Sequence, residues 1–113
     1  MIVNKVIEAG SLAEQPRTRL TTKGAARTSF RLAVPTGNKG PGGEETAYHF
    51  EVVTWRKLAD ACAKELRKGD TVLVIGKLTA RSYTAEDGSS RSITEIEAEQ
   101  VEKLRDHKTT QDA

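Results

Sequence analysis

The segment Arg27–Val34, which reads RTSFRLAV, constrains the fold most strongly because it alternates with a period of two. One side of this segment collects Thr28, Phe30, Leu32 and Val34, and the other collects Arg27, Ser29 and Arg31. In an extended strand, neighbouring residues point to opposite faces, whereas a helix would scatter the same pattern around its axis. The segment therefore predicts a half-buried strand with a basic outer face.

Other segments carry strand or helix signals of the same kind. Further strands are predicted at Ile2–Ala9, ending at Gly10, and at Tyr48–Trp55, Thr71–Tyr83 and Ser92–Val101. A helix is predicted over residues 56–68, where Leu58, Cys62 and Leu66 recur every four residues and Gly69 provides a stop. The pair Asp87-Gly88 favours a tight hairpin between the last two strands.

The strand patterns also predict which side chains fill the core. Tyr48 and Phe50 fall on the inner row of the third strand, and Cys62 is expected to be a small buried hydrophobe. The inner row of the fourth strand is predicted to be Val72, Val74, Gly76, Leu78 and Ala80. Residues 35–46 hold four glycines and two prolines, which predicts a loop, either a plain connector or a flap over a ligand.

The order of three strands, one helix and two strands is typical of the OB-fold, a five-stranded Greek-key barrel with one helix between strands 3 and 4. A length of 113 residues fits one domain, which we expect to span residues 1–105 before a short flexible tail at 106–113. Leu73 and Ile75 make the outer row of the fourth strand more apolar than solvent favours. They indicate a buried contact between subunits.

Composition excludes several classes of protein. A formal net charge of +2 excludes a histone-like polycation, and the single cysteine excludes an internal disulfide framework. We expect no membrane segment, since no apolar run approaches the length of a span, and the simplest compartment is a reducing cytoplasm. No catalytic arrangement, metal triad or phosphate-binding glycine loop stands out, so neither an enzyme nor a cofactor is expected.

Cations and aromatic rings share the outer faces of the predicted strands. The second strand contributes Arg27 and Arg31, the third contributes Trp55 with His49 on the same face, and the fourth contributes Lys77, Arg81 and Tyr83. Binding of single-stranded nucleic acid needs this combination, because cations follow the phosphates and rings stack on bases. The plainer alternatives are a core or interface Trp55, a surface His49 and simply solvated cations.

Three segments resemble bacterial-type single-stranded DNA-binding proteins, and the match extends over about residues 2–104. The opening VNKVIEAGSLAEQPRTR resembles the family's first strand and loop, and FRLAV its second strand. The run from Thr54 to Ile96 resembles its aromatic position, helix, KGD turn and hairpin in order. The resemblance implies an OB-fold homotetramer that binds single-stranded DNA in replication, recombination or repair, without sequence preference.

The resemblance also implies which positions contact DNA. The stacking positions of the family fall on Asn38, His49, Trp55 and Tyr83, and its basic positions fall on Lys5, Arg19, Lys57 and Arg81. Asn38 cannot stack as an indole does, and His49 stacks more weakly. Glu51 places a negative charge where many members have a basic or neutral residue. We therefore expect weaker binding, or a changed site size, compared with a fully aromatic member.

Protein partners and nucleic-acid type stay open. Family members commonly end in an acidic tip that recruits replication and repair proteins, whereas the present sequence ends at Lys108–Ala113 without one. A truncated chain and a paralogue with other partners both fit. A primosomal-type OB-fold adaptor, which mainly binds proteins, is the alternative function. RNA binding through the same surface is a third interpretation.

Overall fold

A single sheet closes on itself to form a barrel. The computed structural model describes residues 1–106. Its elements are β1 (Val6–Leu12), β2 (Arg17–Leu20), β3 (Ala26–Lys39), β4 (Glu45–Trp55), α1 (Arg56–Glu65), β5 (Thr71–Thr84) and β6 (Ser90–Arg105). The sheet runs in the order β1-β5-β6-β4-β3-β2, and an additional pairing of β1 with β3 closes it. Five long strands with α1 between β4 and β5 confirm the predicted OB-fold.

Alternate residues of the strands fill the barrel with apolar side chains. Phe30 and Leu32 on β3 are fully buried while Arg31 between them is exposed, which confirms this part of the alternation predicted from RTSFRLAV. Ser29, predicted on the outer row, is buried instead, where β3 pairs with β2 on one side and β4 on the other. Cys62 of α1 is buried in the same core, as predicted. Burial raises the pKa of its thiol to about 11, and a hydrogen bond with Thr54 opposes this shift only in part.

The first strand lies further along the chain than the predicted Ile2–Ala9. β1 begins at Val6 and continues through Gly10 to Leu12, so Gly10 is inside the strand and does not end it. A Cβ atom on Gly10 would lie 2.2 Å from the carbonyl oxygen of Ala33 on β3. The glycine is therefore required where β1 crosses close to β3, which is the contact that closes the barrel.

The predicted loop at residues 35–46 is wrong, because most of it is a β-hairpin. β3 continues to Lys39 and β4 begins at Glu45, which leaves only a short turn between them. Pro35 is tolerated within β3 because this part of the strand pairs with β4 alone, at Ala47, and has a free edge on its other side. β2 was also not predicted, since its four residues are all exposed and show no apolar alternation.

The inner-row predictions for three residues fail because the hairpins extend beyond the barrel. Tyr48 was predicted to lie in the core but is 58% exposed, and Leu78 is 47% exposed. Ala80 is exposed as well, so the buried inner row of β5 ends at Gly76, next to a register shift in its pairing with β6. The inner faces of both hairpins therefore continue past the point where an opposing wall exists to cover them.

The helix and the last strand also differ from the predicted bounds. α1 ends at Glu65, and Leu66 has an extended backbone although its side chain stays buried. β6 extends at both ends beyond the predicted 92–101. The Asp87-Gly88 hairpin is confirmed, with the Ala85 N–H donating to the Ser89 carbonyl at 2.9 Å.

The predicted tail at 106–113 lies outside the described residues except for Asp106. No helix within residues 1–106 is long and apolar enough to cross a membrane.

Gly10→Ala should cost about 2–3 kcal/mol of unfolding free energy, because the new methyl group would overlap the Ala33 carbonyl of the neighbouring strand. Gly88→Ala is the matched control: its Cβ would meet nothing within 4 Å, but φ is +85°, so only about 1 kcal/mol of backbone strain is expected. Urea denaturation of both variants measures the difference. Equal losses would contradict the steric role of Gly10.

Candidate nucleic-acid interface

The outer faces of β3, β4, β5 and β6 surround an open groove beside Trp55. This basic groove consists of two adjoining depressions of about 560 and 390 Å³ that share Arg19, Arg27, Arg81 and Glu95. Trp55 and Val53 line the first depression, and Arg17, Arg31 and Glu51 line the second. The alternation of each strand brings these side chains to one face, because their positions differ by two along β3 and β4.

Glu95 of β6 lies at the centre of the basic groove and binds two of its arginines. Its side chain is only 8% exposed. Arg27 donates from Nη2 to Oε2 at 3.3 Å, and Arg81 donates from Nε to Oε1 at 3.2 Å. A buried carboxylate needs such partners to offset the loss of its hydration. Glu95 therefore holds β3 and β5 arginines in place and neutralises part of their charge.

Trp55 is half-buried, and a cation covers part of its ring. Arg27 is the register partner of Trp55 across β3 and β4, and its guanidinium carbon lies 5.9 Å from the ring centroid. This distance permits a cation–π interaction. On another side the ring borders a smaller depression, the turn groove, lined by Thr21, Thr22, Lys23, Ala25 and Arg56. Trp55 thus forms the boundary between two grooves.

The structure brings only part of the predicted set into the basic groove. Trp55, Arg19, Arg27, Arg31 and Arg81 all line it. Lys77 lies at its edge and pairs with the groove residue Glu97 at 3.6 Å. Lys5 precedes β1, pairs with Glu99 at 3.6 Å and does not line the groove. Lys57 lies at the start of α1, in a separate depression with Lys23.

The remaining predicted stackers lie on strands that leave the barrel. Tyr83 is 43% exposed and follows Arg81 on the same alternating row of β5. His49 is exposed and belongs to the row of β4 that contains Trp55. Neither ring lines the basic groove, and Asn38 is exposed near the end of β3. The rings of Tyr83 and His49 are therefore accessible but separated from Trp55.

Comparison with known proteins agrees with this arrangement. The model of the single-strand binding protein family matches residues 3–104. The chain belongs to this family. It is 37% identical over 100 residues to a single-stranded DNA-binding protein of Caldanaerobacter subterraneus subsp. tengcongensis, covering 88% of the present chain and 67% of that protein.

Two further relatives carry similar names. The chain is 37% identical over 103 residues to single-stranded DNA-binding protein A of Bacillus subtilis, covering 91% of the chain and 60% of that protein. It is 42% identical over 101 residues to a single-stranded DNA-binding protein of Thermus aquaticus, covering 89% of the chain and 38% of that protein. The chain thus spans between about a third and two thirds of the length of these three relatives.

Two residues of the basic groove, Arg17 and Glu95, were not predicted from the sequence. Arg17 lines the basic groove from β2 and pairs with Glu14 at 3.2 Å and Glu51 at 3.5 Å. The alternation of Arg17 and Arg19 around a threonine could have indicated a short basic strand. Glu95 had no such signal, since it is one of several acidic residues in β6. Its role depends on which strands neighbour β6.

Glu51 is the second carboxylate of the basic groove. Loss of hydration raises the pKa of Glu51, and the Arg17 guanidinium opposes this shift in part. Its buried Oε1 atom has no hydrogen-bond partner within the described residues, although Arg17 lies within ion-pair distance. The charged form of Glu51 is therefore less stable in the fold than in the unfolded chain.

The raised pKa of Glu51 predicts a pH dependence of stability. Since the folded state binds this proton more tightly than the unfolded chain does, the favourable contribution is present at low pH and is lost as pH rises through the raised pKa. Glu51→Gln should therefore be more stable than the parent protein at pH 7, and the gap should narrow towards pH 4.5.

Thermal denaturation between pH 4 and pH 7 measures this gap. Glu45→Gln is the matched control, because Glu45 is a highly exposed residue of the same strand that pairs with Lys39. A gap for Glu51→Gln that stays constant over this pH range would contradict the assignment.

Proposed function

We propose that this chain binds single-stranded DNA without sequence preference and is not an enzyme. A base stacks on Trp55, while the arginines of the basic groove bind the neighbouring phosphates. The observation that carries the proposal is the placement of one accessible indole beside Arg19, Arg27 and Arg81 in a single open groove. Rings and cations combined in this way bind unpaired strands, since every base has a face to stack.

The carboxylates of the groove limit the affinity. A phosphate must compete with Glu95 for Arg27 and Arg81, whose charges are already partly neutralised. Arg19 and Arg31, by contrast, make no ion pair with any residue of the described part of the chain, but Arg31 is the register partner of Glu51 and its charge acts on that carboxylate. We infer that Arg19 supplies the more readily available charge. This competition supports the expectation of binding weaker than a groove without carboxylates would give.

The exposed rings and outlying cations extend the proposed site along the hairpins. Tyr83 and His49 offer further stacking positions beyond the barrel, where a strand leaving Trp55 passes along β5 or β4. Lys77 provides a phosphate contact at the edge of the groove once Glu97 releases it. Lys5 and Lys57 are assigned peripheral phosphate contacts, since each lies outside the basic groove.

An apolar face on β1 and β5 supports a homo-oligomer, for which we propose a tetramer. Ile7 on β1 pairs in register with Ile75 on β5, and Ala9 pairs with Leu73. Ile7 is 62% exposed, which is unfavourable for an isoleucine in water. β1 pairs with β3 only at Ser11 and Leu12, so the backbone of its first half keeps a free edge that another copy could cover.

We further propose that the protein acts in the cytoplasm, at the nucleoid, in replication, recombination or repair. The relatives named above are single-stranded DNA-binding proteins, and no observation favours the primosomal-type adaptor.

A competition experiment distinguishes DNA binding from RNA binding through the same groove. Unlabelled oligo-dT should displace bound oligo-dT more effectively than oligo-U does. Equal displacement would assign the groove to both nucleic acids.

Trp55→Ala should weaken binding of labelled oligo-dT by about 1–3 kcal/mol, because the stacking surface is lost. Tyr48→Ala is the control, since Tyr48 is an exposed ring on the opposite face of the same strand and should leave affinity almost unchanged. Fluorescence anisotropy measures both. In the parent protein Trp55 is the only tryptophan, so oligo-dT should also quench its emission directly. Equal losses in the two variants would exclude Trp55 as the stacking residue.

The oligomer has a separate test. Light scattering should give about four times the 12.3 kDa chain mass for the parent protein, and Ile75→Lys should lower that mass because it buries a charge in the contact. Leu20→Lys, which alters an exposed leucine on β2, is the control and should leave the mass unchanged. A monomeric parent protein would overturn the proposed assembly.

A further inference from the structure

Three cations surround the junction of β4 and α1, on the side of Trp55 that faces the turn between β2 and β3. Lys23 and Arg56 line the turn groove and also the depression next to it, where Lys57 and Asp60 lie. All three cationic side chains are exposed. Within residues 1–106 none of them forms an ion pair, whereas Arg27 and Arg81 are both held by Glu95. The charges of Lys23, Arg56 and Lys57 are therefore more available to a ligand than those of Arg27 and Arg81, although Asp60 shares their depression.

The backbone at Arg56 is strained. Its φ angle is +57°, and among the described residues it is the only non-glycine residue with a positive φ. This left-handed conformation is costly for any residue that has a Cβ atom, whereas glycine adopts it freely. The arginine at this position therefore carries a cost that the fold does not require, which is the pattern found at binding sites.

Trp55 connects this cluster to the basic groove. Its ring lines both the basic groove and the turn groove, which also have Thr21 in common. A base stacked on Trp55 has a phosphate on each side along its strand. The basic groove receives one of them, and the cations that face the other side are Lys23 and Arg56.

We propose that Lys23 and Arg56, beside the phosphate contact already assigned to Lys57, form a second phosphate-binding subsite for the same single strand, reached as the strand passes Trp55. This proposal rests on the proposed binding of single-stranded DNA. The strand then crosses from the arginines of the basic groove, over the indole, to the start of α1. Because neither Lys23 nor Arg56 forms an ion pair within residues 1–106, a phosphate binds them with less competition than Glu95 imposes in the basic groove.

Removal of the cations should weaken binding and reduce its salt dependence. Each lost phosphate contact lowers the slope of log K against log[salt] by about 0.7 for a single strand. Lys23→Ala and Arg56→Ala should each weaken oligo-dT binding roughly three- to tenfold at low salt. Lys64→Ala is the matched control, because Lys64 is an exposed cation of the same helix that lines none of these grooves.

The glycine variant separates binding from folding. Arg56→Gly should melt several degrees higher than Arg56→Ala, because glycine relieves the strained backbone, yet it should bind oligo-dT as weakly as the alanine variant does. Arg56→Lys keeps the charge and should bind within about twofold of the parent protein. A more stable glycine variant with weaker binding would show that the arginine is retained for the ligand.

The two proposals fail in different ways. If the parent protein does not retain oligo-dT at low salt, the proposed function is wrong. If the parent protein binds and Trp55→Ala weakens binding, but Lys23→Ala and Arg56→Ala keep the parent's affinity and salt slope, only the second subsite is wrong. The same conclusion follows if Lys64→Ala lowers affinity and slope as much as they do, since the effect would then reflect net charge.

Discussion

Two close backbone contacts allow the barrel to close, and the position of every groove residue depends on them. A Cβ atom on Gly10 would lie 2.2 Å from the Ala33 carbonyl oxygen, and one on Gly76 would lie 2.1 Å from that of Glu97. At these points β1 crosses β3 and β5 bends across β6. Closure also brings β4 beside β6, through a parallel pairing of only two residue pairs. Trp55 and Glu95 face the same groove because of that short pairing.

The groove that results is basic in composition but partly neutralised in charge. Glu95, Glu51 and Glu97 each lie beside an arginine or lysine of the basic groove or of its edge. Such pairs orient long side chains that would otherwise lose more conformational freedom on binding, and they also compete with phosphates. The net effect on affinity depends on which cations remain unpaired. Among the described residues, the cations of these grooves that form no ion pair and have no carboxylate opposite them in register are Arg19 and those near the start of α1.

Local pattern predicted the strands that cross the barrel well, and it failed where tertiary context decides. The alternation in Arg27–Val34 and the Asp87-Gly88 hairpin were predictable, because side-chain period and turn chemistry act over a few residues. Tyr48 was assigned to the core because the alternation of β4 continues into the part of the hairpin that extends beyond the barrel. No other strand of the barrel lies opposite that part to cover the ring. Glu95 and Arg56 escaped notice for a different reason. Glu95 matters because of the strands that neighbour β6, and Arg56 because of its positive φ angle. Local sequence pattern predicts neither of these.

The buried position of Cys62 has a practical consequence for spectroscopy. Its thiol lies in the apolar core with a pKa of about 11, so at neutral pH almost none of it is present as the reactive thiolate. A second cysteine introduced at an exposed hairpin position would have an ordinary pKa and would react with a maleimide dye far faster. A dye can therefore be attached at one chosen site, and distances can be measured by energy transfer, without first replacing Cys62.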